Sequence, residues 1–93
     1  MVNKVNASHI LVKTESEANV ILYDLDHGGD FKAIAKEKST CPSGKKGGNL
    51  GWFGRNMMVK EFETACFNGK KGDIIGPVKT QFGYHIIRID DQS

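Results

Sequence analysis

The chain has 93 residues, of which 39% are hydrophobic and 26% are charged, and its formal net charge at pH 7 is +2. This length predicts a single domain over residues 1–93, and the balance of apolar and charged residues is typical of a folded globular protein. The small net charge does not indicate a nucleic-acid partner.

The first part of the chain predicts one strand followed by two helices. Residues 4–13 are rich in β-branched side chains and carry apolar residues on both faces, which predicts a central strand. Thr14 and Glu17 match a capping box, and apolar residues spaced three and four apart follow them, so a helix is predicted to run to about His27. Asp30 is a suitable N-cap for a second helix.

A glycine-rich segment follows, over residues 39–55. It holds five glycines and one proline, which predicts a long irregular loop with at most a short strand over residues 50–53. Trp52 and Phe53 indicate that this loop is ordered. Long ordered loops in small domains usually serve function, so the loop is a candidate part of a site.

The last part of the chain predicts a helix and two strands. Residues 57–67 have apolar side chains at helical spacing, and residues 84–90 predict the final strand. Residues 74–78 predict an edge strand, because Pro77 has no N–H to donate to a central ladder. The order is β-α-α-loop/β-α-β-β, which is an α+β fold with helices packed around a small sheet.

The sequence also restricts the compartment. No apolar run approaches the roughly 18 residues of a membrane-spanning helix, and residues 1–6 lack the apolar stretch of a signal peptide. Cys41 and Cys66 do not form a CxxC pair, and two cysteines are too few for a disulfide scaffold. Free thiols and a cytoplasmic location are therefore expected.

Two histidines are candidates for chemistry, because His9 and His85 lie on the first and last predicted strands. If these strands pair, the two imidazoles lie on one face within hydrogen-bond reach and share one proton between facing nitrogens. The alternative is that each is an ordinary core histidine, which strand periodicity alone favours. Cys41 and Cys66, taken alone, are interpreted as small buried apolar residues.

Five lysines lie on the second predicted helix and in the loop that follows it, and they are read as a solvated surface. An alternative is weak contact with an anionic surface. These residues are Lys32, Lys36, Lys38, Lys45 and Lys46.

Four motifs, in order along nearly the whole chain, carry a resemblance to a known family. They are SHILVK at 8–13, CPSGKKGGNLG at 41–51, MVKEF at 58–62 and GPVKTQFGYHII at 76–87. With these motifs the chain resembles the parvulin-type peptidyl-prolyl cis/trans isomerases, and it looks like a small stand-alone domain of the prokaryotic type. The resemblance implies a four-stranded antiparallel sheet surrounded by helices, in the order β-α3-β-α-β2, with a short helical turn over residues 42–45.

The resemblance also implies the residues of the site. Four polar side chains would form the catalytic centre: His9, Cys41, Thr80 and His85. Four apolar side chains would bind the substrate proline and close the pocket over it: Leu50, Met58, Phe62 and Phe82.

The implied activity is rotation about X–Pro bonds in peptides and in unfolded or partly folded proteins. This rotation crosses a barrier of about 18–20 kcal/mol without making or breaking a bond, so no metal or cofactor is expected. A dry apolar pocket with fixed donors would favour the twisted amide over both planar isomers. Cys41 is therefore not assigned as a covalent nucleophile, and the protein is expected to act as a monomer.

The chain departs from the family pattern at several positions. Asn49 and Glu61 stand where many members have Asp and Pro. Phospho-specific members have a long basic loop after the first strand, whereas residues 14–17 (TESE) are short and acidic. These carboxylates would repel phosphate, so a phosphorylated substrate is not expected.

Three alternatives remain open from the sequence. The first is a non-catalytic peptide-binding or chaperone module on the same fold. The second is a zinc site formed by His9, His85 and Cys41, because two histidines and one cysteine are acceptable zinc ligands. The third is a Cys–His hydrolase, which lacks an evident orienting residue and oxyanion hole.

Overall fold

A four-stranded antiparallel sheet, with strand order β2-β1-β4-β3, organises the computed structural model, which describes residues 2–93. The strands are β1 (Val5–Val12), β2 (Asn49–Phe53), β3 (Ile74–Thr80) and β4 (Gly83–Gln92). The helices are α1 (Glu15–Asp26), α2 (Phe31–Lys38), a 3-10 helix (Pro42–Lys46) and α3 (Lys60–Asn68). The predicted α+β fold is confirmed, with β1 central and β3 at an edge.

The pairing of β1 with β4 decides which side chains share a face. His9 lies opposite Ile87, and Leu11 lies opposite His85. Because residues two apart on a strand point to the same side, both histidines lie on one face, one diagonal step apart. The sequence prediction that paired strands would bring the two imidazoles together is confirmed.

Each face of the sheet buries its own apolar cluster. The face that carries the histidines packs against α3 through eight buried residues: Val5, Ala7, Phe53, Phe62, Cys66, Phe67, Ile87 and Ile89. The opposite face packs against α1 and α2 through seven: Ile10, Val12, Ala18, Ile21, Phe31, Ala35 and Ile86. This two-sided burial explains why β1 is apolar on both faces.

The first two helices begin at the predicted caps. The Thr14 hydroxyl accepts the Glu17 N–H at 3.2 Å and donates to Glu17 Oε1 at 2.9 Å. The Asp30 carboxylate accepts the Lys32 N–H at 3.2 Å. Each side chain satisfies an N–H that has no partner within its own helix. No helix in residues 2–93 is long and apolar enough to cross a membrane.

Two predictions about local structure are wrong, one in the start of a helix and one in the irregular character of the glycine-rich loop. The helix predicted from Met57 begins at Lys60, because Val59 is the N-cap and keeps an extended backbone. The predicted irregular loop contains the 3-10 helix (Pro42–Lys46), which the resemblance implied and the glycine pattern did not reveal. Pro at the first position suits this helix, because that residue needs no N–H partner.

The glycine-rich loop contacts β1 most closely at Gly48. The His9 N–H donates to the Gly48 carbonyl at 2.9 Å. Gly48 has a φ of 89°, and a Cβ at this position would collide with the His9 carbonyl oxygen. Glycine is required here for both conformation and space, and it holds the loop against the strand that carries His9.

We predict that Gly48→Ala lowers the free energy of unfolding by about 2–5 kcal/mol, from left-handed strain plus the collision with β1. Gly28→Ala is the matched control, because Gly28 has a φ of 94° but open space around the position of a Cβ. The control should cost about 1–2 kcal/mol. Urea denaturation measures both values, and equal losses would contradict the close contact at Gly48.

Candidate active site

A pocket of about 470 Å³ opens on the histidine face of the sheet, and its surface is almost entirely apolar. Its lining residues are His9, Leu11, Thr40, Cys41, Pro42, Leu50, Met57, Met58, Val59, Phe62, Phe82 and His85. A second pocket of about 510 Å³ lies between α1 and the start of β3, but no histidine or cysteine lines it. Because His9, Cys41 and His85 line the first pocket, it is the candidate active site.

The two histidines form a buried pair at the base of this pocket. Their Nδ1 atoms lie 2.9 Å apart, and the residues are only 5% (His9) and 4% (His85) exposed. The Phe62 ring packs edge-on against both imidazoles, with centroid distances of 5.4 and 5.2 Å. Phe62 therefore holds the two rings in place while also belonging to the core.

Thr80 extends this hydrogen-bond chain beyond His85. Its Oγ1 lies 2.7 Å from His85 Nε2 and accepts the Phe82 N–H at 3.2 Å. His9 Nε2, at the other end of the chain, is buried and has no hydrogen-bond partner among the described residues. The chain of hydrogen bonds thus runs from the β3–β4 turn, through Thr80 and the two imidazoles, and ends at the buried Nε2 atom of His9, which lines the pocket.

Burial keeps the histidine pair uncharged at neutral pH. Burial, and to a smaller extent the charge of the neighbouring His85, lower the pKa of His9 to about 4. Burial also lowers the pKa of His85. In the neutral pair only one of the two facing Nδ1 atoms carries a proton, so one imidazole donates and the other accepts.

Cys41 is positioned by hydrogen bonds around the start of the glycine-rich loop. The Ser39 hydroxyl oxygen accepts the N–H groups of Leu11, at 3.1 Å, and of Cys41, at 3.3 Å. The Ser43 hydroxyl donates to Cys41 Sγ at 3.3 Å. Cys66 is different, because it is fully buried and its burial raises the pKa of its thiol to about 12. The interpretation of Cys66 as a core residue is confirmed.

Seven of the eight residues implied by the resemblance line the pocket; they are His9, Cys41, Leu50, Met58, Phe62, Phe82 and His85. The eighth, Thr80, lies behind His85 and contacts it directly. The sheet brings together the histidines and Thr80 and contributes Leu50 from β2, while the glycine-rich loop contributes Cys41 and α3 contributes Phe62. The catalytic and binding roles of these residues remain predictions.

Five lining residues were not expected from the sequence: Leu11, Thr40, Pro42, Met57 and Val59. Leu11 had a visible signal, because the period of two places it on the same strand face as His9. Met57 and Val59 had none, because the pattern placed both in the first turn of the predicted helix. Thr40 is held at the pocket by its N–H, which donates to the Leu11 carbonyl at 2.8 Å.

The geometry does not favour the zinc alternative. Zinc ligands direct their lone pairs to one shared point, whereas His9 and His85 direct their Nδ1 atoms at each other. The Cys41 sulfur has Ser43 as its hydrogen-bond partner. Within residues 2–93, no cluster of three or more His, Cys, Asp or Glu side chains is arranged to hold a metal ion.

We predict that Thr80→Val lowers the free energy of unfolding by about 1–3 kcal/mol, because it leaves His85 Nε2 and the Phe82 N–H without their shared partner. Valine keeps the shape of threonine, so the loss reports the hydroxyl group. Thr80→Ser is the matched control, since it keeps the hydroxyl and should cost less. Thermal or urea unfolding compares the two, and a serine variant as unstable as the valine variant would contradict the bridging role.

We predict that the His9 imidazole titrates near pH 4 in the folded protein, as followed by NMR of its ring carbons. The unfolded chain binds this proton near pH 6.5, so it takes up more protons than the folded chain between these values. Stability is therefore complete above pH 6.5 and falls as the pH drops toward 4, by roughly 1 kcal/mol per pH unit. A His9 midpoint near 6.5 would contradict the burial of the pair.

The chain is similar to foldase proteins named PrsA and to parvulins of known structure. It is 56% identical over 91 residues to foldase protein PrsA of Exiguobacterium sibiricum, covering 96% of this chain and 30% of that protein. It is 52% identical to PrsA of Geobacillus kaustophilus, covering 96% of this chain and 32% of that protein. The chain therefore spans about a third of the length of the curated relatives it matches.

Solved structures show the same fold. Peptidylprolyl isomerase PrsA of Bacillus cereus superposes with a TM-score of 0.95 at 48% identity, over 99% of this chain and 36% of that one. NmPin, the parvulin of Nitrosopumilus maritimus, superposes with a TM-score of 0.85 at 48% identity, over 96% of this chain and 97% of that one. The family model for the PPIC-type PPIase domain matches residues 1–93. The chain belongs to the PPIC-type PPIase domain family, which confirms the resemblance to the parvulins.

Proposed function

We propose that this chain catalyses cis/trans isomerisation of X–Pro bonds in peptides and in unfolded or partly folded proteins. The observation that carries the proposal is the combination of an almost entirely apolar pocket with a neutral histidine pair at its base. Membership of the PPIC-type PPIase domain family supports it.

The pocket suits a reaction whose transition state is less polar than its ground state. Twisting an X–Pro amide removes its resonance, which lowers the charge on oxygen and makes the nitrogen more basic. An apolar wall stabilises this twisted form relative to both planar isomers, and this differential binding is what accelerates the rotation. Leu50, Met58 and Phe62 supply such a wall for the proline ring.

The polar residues support a non-covalent mechanism. Cys41 Sγ accepts a hydrogen bond from the Ser43 hydroxyl, and no histidine bonds to it as the base of a nucleophilic pair does. The imidazoles instead bond to each other and to Thr80. We therefore assign the polar groups to orienting the substrate and stabilising its rotating carbonyl, without a covalent adduct between Cys41 and the substrate carbonyl.

The electrostatics of the β1–α1 turn argue against a phosphorylated substrate. Glu15 and Glu17 lie in the first turn of α1, directly after β1. None of the described residues that line the pocket is a lysine, arginine, aspartate or glutamate. A phosphate beside the proline would meet an apolar wall with no lysine or arginine to pair with it, and the nearest turn in sequence after β1 is acidic, so unmodified X–Pro sequences are the proposed substrates.

The alternative is a non-catalytic peptide-binding or chaperone module. The PrsA relatives are named foldases, which fits either activity on unfolded chains. The full pocket, with both histidines, Cys41 and the apolar wall in one place, favours catalysis. The cytoplasmic location, the monomeric state and any contact of the lysines with an anionic surface stay predictions.

We predict that the protein accelerates isomerisation of X–Pro tetrapeptides, measured in a protease-coupled assay or by NMR exchange. Met58→Ala should lower kcat/KM by about tenfold, since it removes part of the wall around the ring. Because Met58 is only half-buried, the melting temperature of the Met58→Ala variant should change little. Phe62→Ala is a poorer test, because Phe62 is a core residue and its removal costs about 3–5 kcal/mol of stability.

The outcome separates the two functions. An enzyme accelerates the exchange well beyond the uncatalysed rate, which has a time constant of tens to hundreds of seconds. Peptide binding without any acceleration would overturn the proposed catalysis and leave the binding module.

A further inference from the structure

The mouth of the pocket exposes two large apolar side chains. Met57 is 68% exposed and Phe82 is 60% exposed, yet both line the pocket. A single exposed apolar side chain on a protein surface needs no explanation. Met57 and Phe82 come from separate loops and border the same apolar opening. We call this pair the rim of the pocket, and a bound peptide can cover its exposed apolar surface.

The side chain of Met57 is held within its loop. The Gly54 N–H donates to Met57 Sδ at 3.3 Å. Asn56 has a left-handed backbone, with a φ of 67°, and its N–H donates to the Glu63 carboxylate on α3. This geometry turns the chain immediately before Met57 and fixes the position from which its side chain reaches the pocket.

A neighbouring arginine attaches the same loop to α3. Arg55 pairs with Glu63, with Nη1 and Oε2 3.8 Å apart. Its guanidinium also lies over the Phe67 ring, 4.4 Å from the centroid. The loop that carries Met57 is therefore bound to α3 by a carboxylate and by an aromatic ring, so it presents a preformed surface.

We propose that Met57 is a specificity-determining residue, which contacts a large apolar side chain adjacent to the substrate proline. This inference deepens the proposed isomerase function and rests on it. Leu50, Met58 and Phe62 provide the wall for the proline ring, and a pocket of about 470 Å³ is far larger than one pyrrolidine ring. The space toward Met57 is left for a neighbouring side chain.

The chemistry of the rim selects the class of that neighbour. Among the described residues that line the pocket there is no lysine, arginine, aspartate or glutamate, and the two histidines are neutral, so burying a charged substrate residue carries an uncompensated desolvation cost. Methionine is unbranched and polarisable, and it adapts to aliphatic and aromatic partners alike. Leucine, methionine or phenylalanine beside the proline fits this surface, and glutamate does not.

The test measures kcat/KM for two peptide series, with Leu, Ala or Glu placed before the proline in one and after it in the other. The wild-type protein should prefer Leu over Ala in one series, which identifies the side of the proline that Met57 contacts. Met57→Ala should lower that Leu/Ala ratio by about three- to tenfold, as expected for loss of a partly exposed apolar contact. Because the Met57 side chain is mostly exposed, the Met57→Ala variant should keep its fold, and its melting temperature should equal that of the wild-type protein.

The matched control is Val20→Ala. Val20 is an apolar side chain on α1 that is 54% exposed and does not line the pocket. This variant should leave both the rates and the Leu/Ala ratio at the wild-type values. An active protein whose Leu/Ala ratio is the same with and without Met57→Ala would overturn the inference.

A second readout does not depend on turnover. The ¹³C-methyl signal of Met57, assigned by its loss in Met57→Ala, should shift more with a Leu-containing X–Pro peptide than with its Ala counterpart. Absent isomerase activity would overturn the proposed function, while a Leu-selective shift would still support contact with Met57. A methyl signal that does not respond to either peptide would overturn the inference in both cases.

Discussion

The hydrogen bond between the Nδ1 atoms of His9 and His85 is the interaction on which the site depends. It forms because β1 and β4 pair with His9 opposite Ile87 and Leu11 opposite His85, which places the imidazoles on one face, one diagonal step apart. The same burial that removes both imidazoles from solvent lowers their pKa values and keeps the pair neutral. A shift of register by one residue would send one imidazole to the other face and separate the pair.

Stability and the candidate site are built from some of the same side chains. Phe62 packs edge-on against both imidazoles while it fills the core with Phe53. Gly48 approaches β1 at the backbone of His9, so the loop that carries Cys41 is attached to the strand that carries the histidine. The pocket is thus an opening of the core toward solvent, with a polar chain at its base. This construction explains how a small domain provides an ordered apolar pocket.

The rim follows from the late start of α3. Because Val59 is extended and the helix begins at Lys60, Met57 and Met58 lie outside the helix and both reach the pocket. A helix that began at Met57 would direct these two adjacent side chains about 100° apart around its axis. The loop instead gives the wall and the rim of the pocket one methionine each, and this arrangement supports the proposal that they contact different parts of a substrate.

The sequence by itself determined the order of the elements, the caps at Thr14 and Asp30, and the single strand face shared by His9 and Leu11. These features depend on period, capping chemistry and backbone freedom, all of which act over a few residues. Tertiary structure alone decided the Nδ1 contact between the histidines, the place of Thr80 behind His85, and the exposure of Met57 at the rim. The histidine contact joins residues 76 positions apart in the sequence, and Thr80 reaches His85 only across the turn that joins β3 to β4. The exposure of Met57 depends on where α3 begins, which the apolar spacing did not reveal.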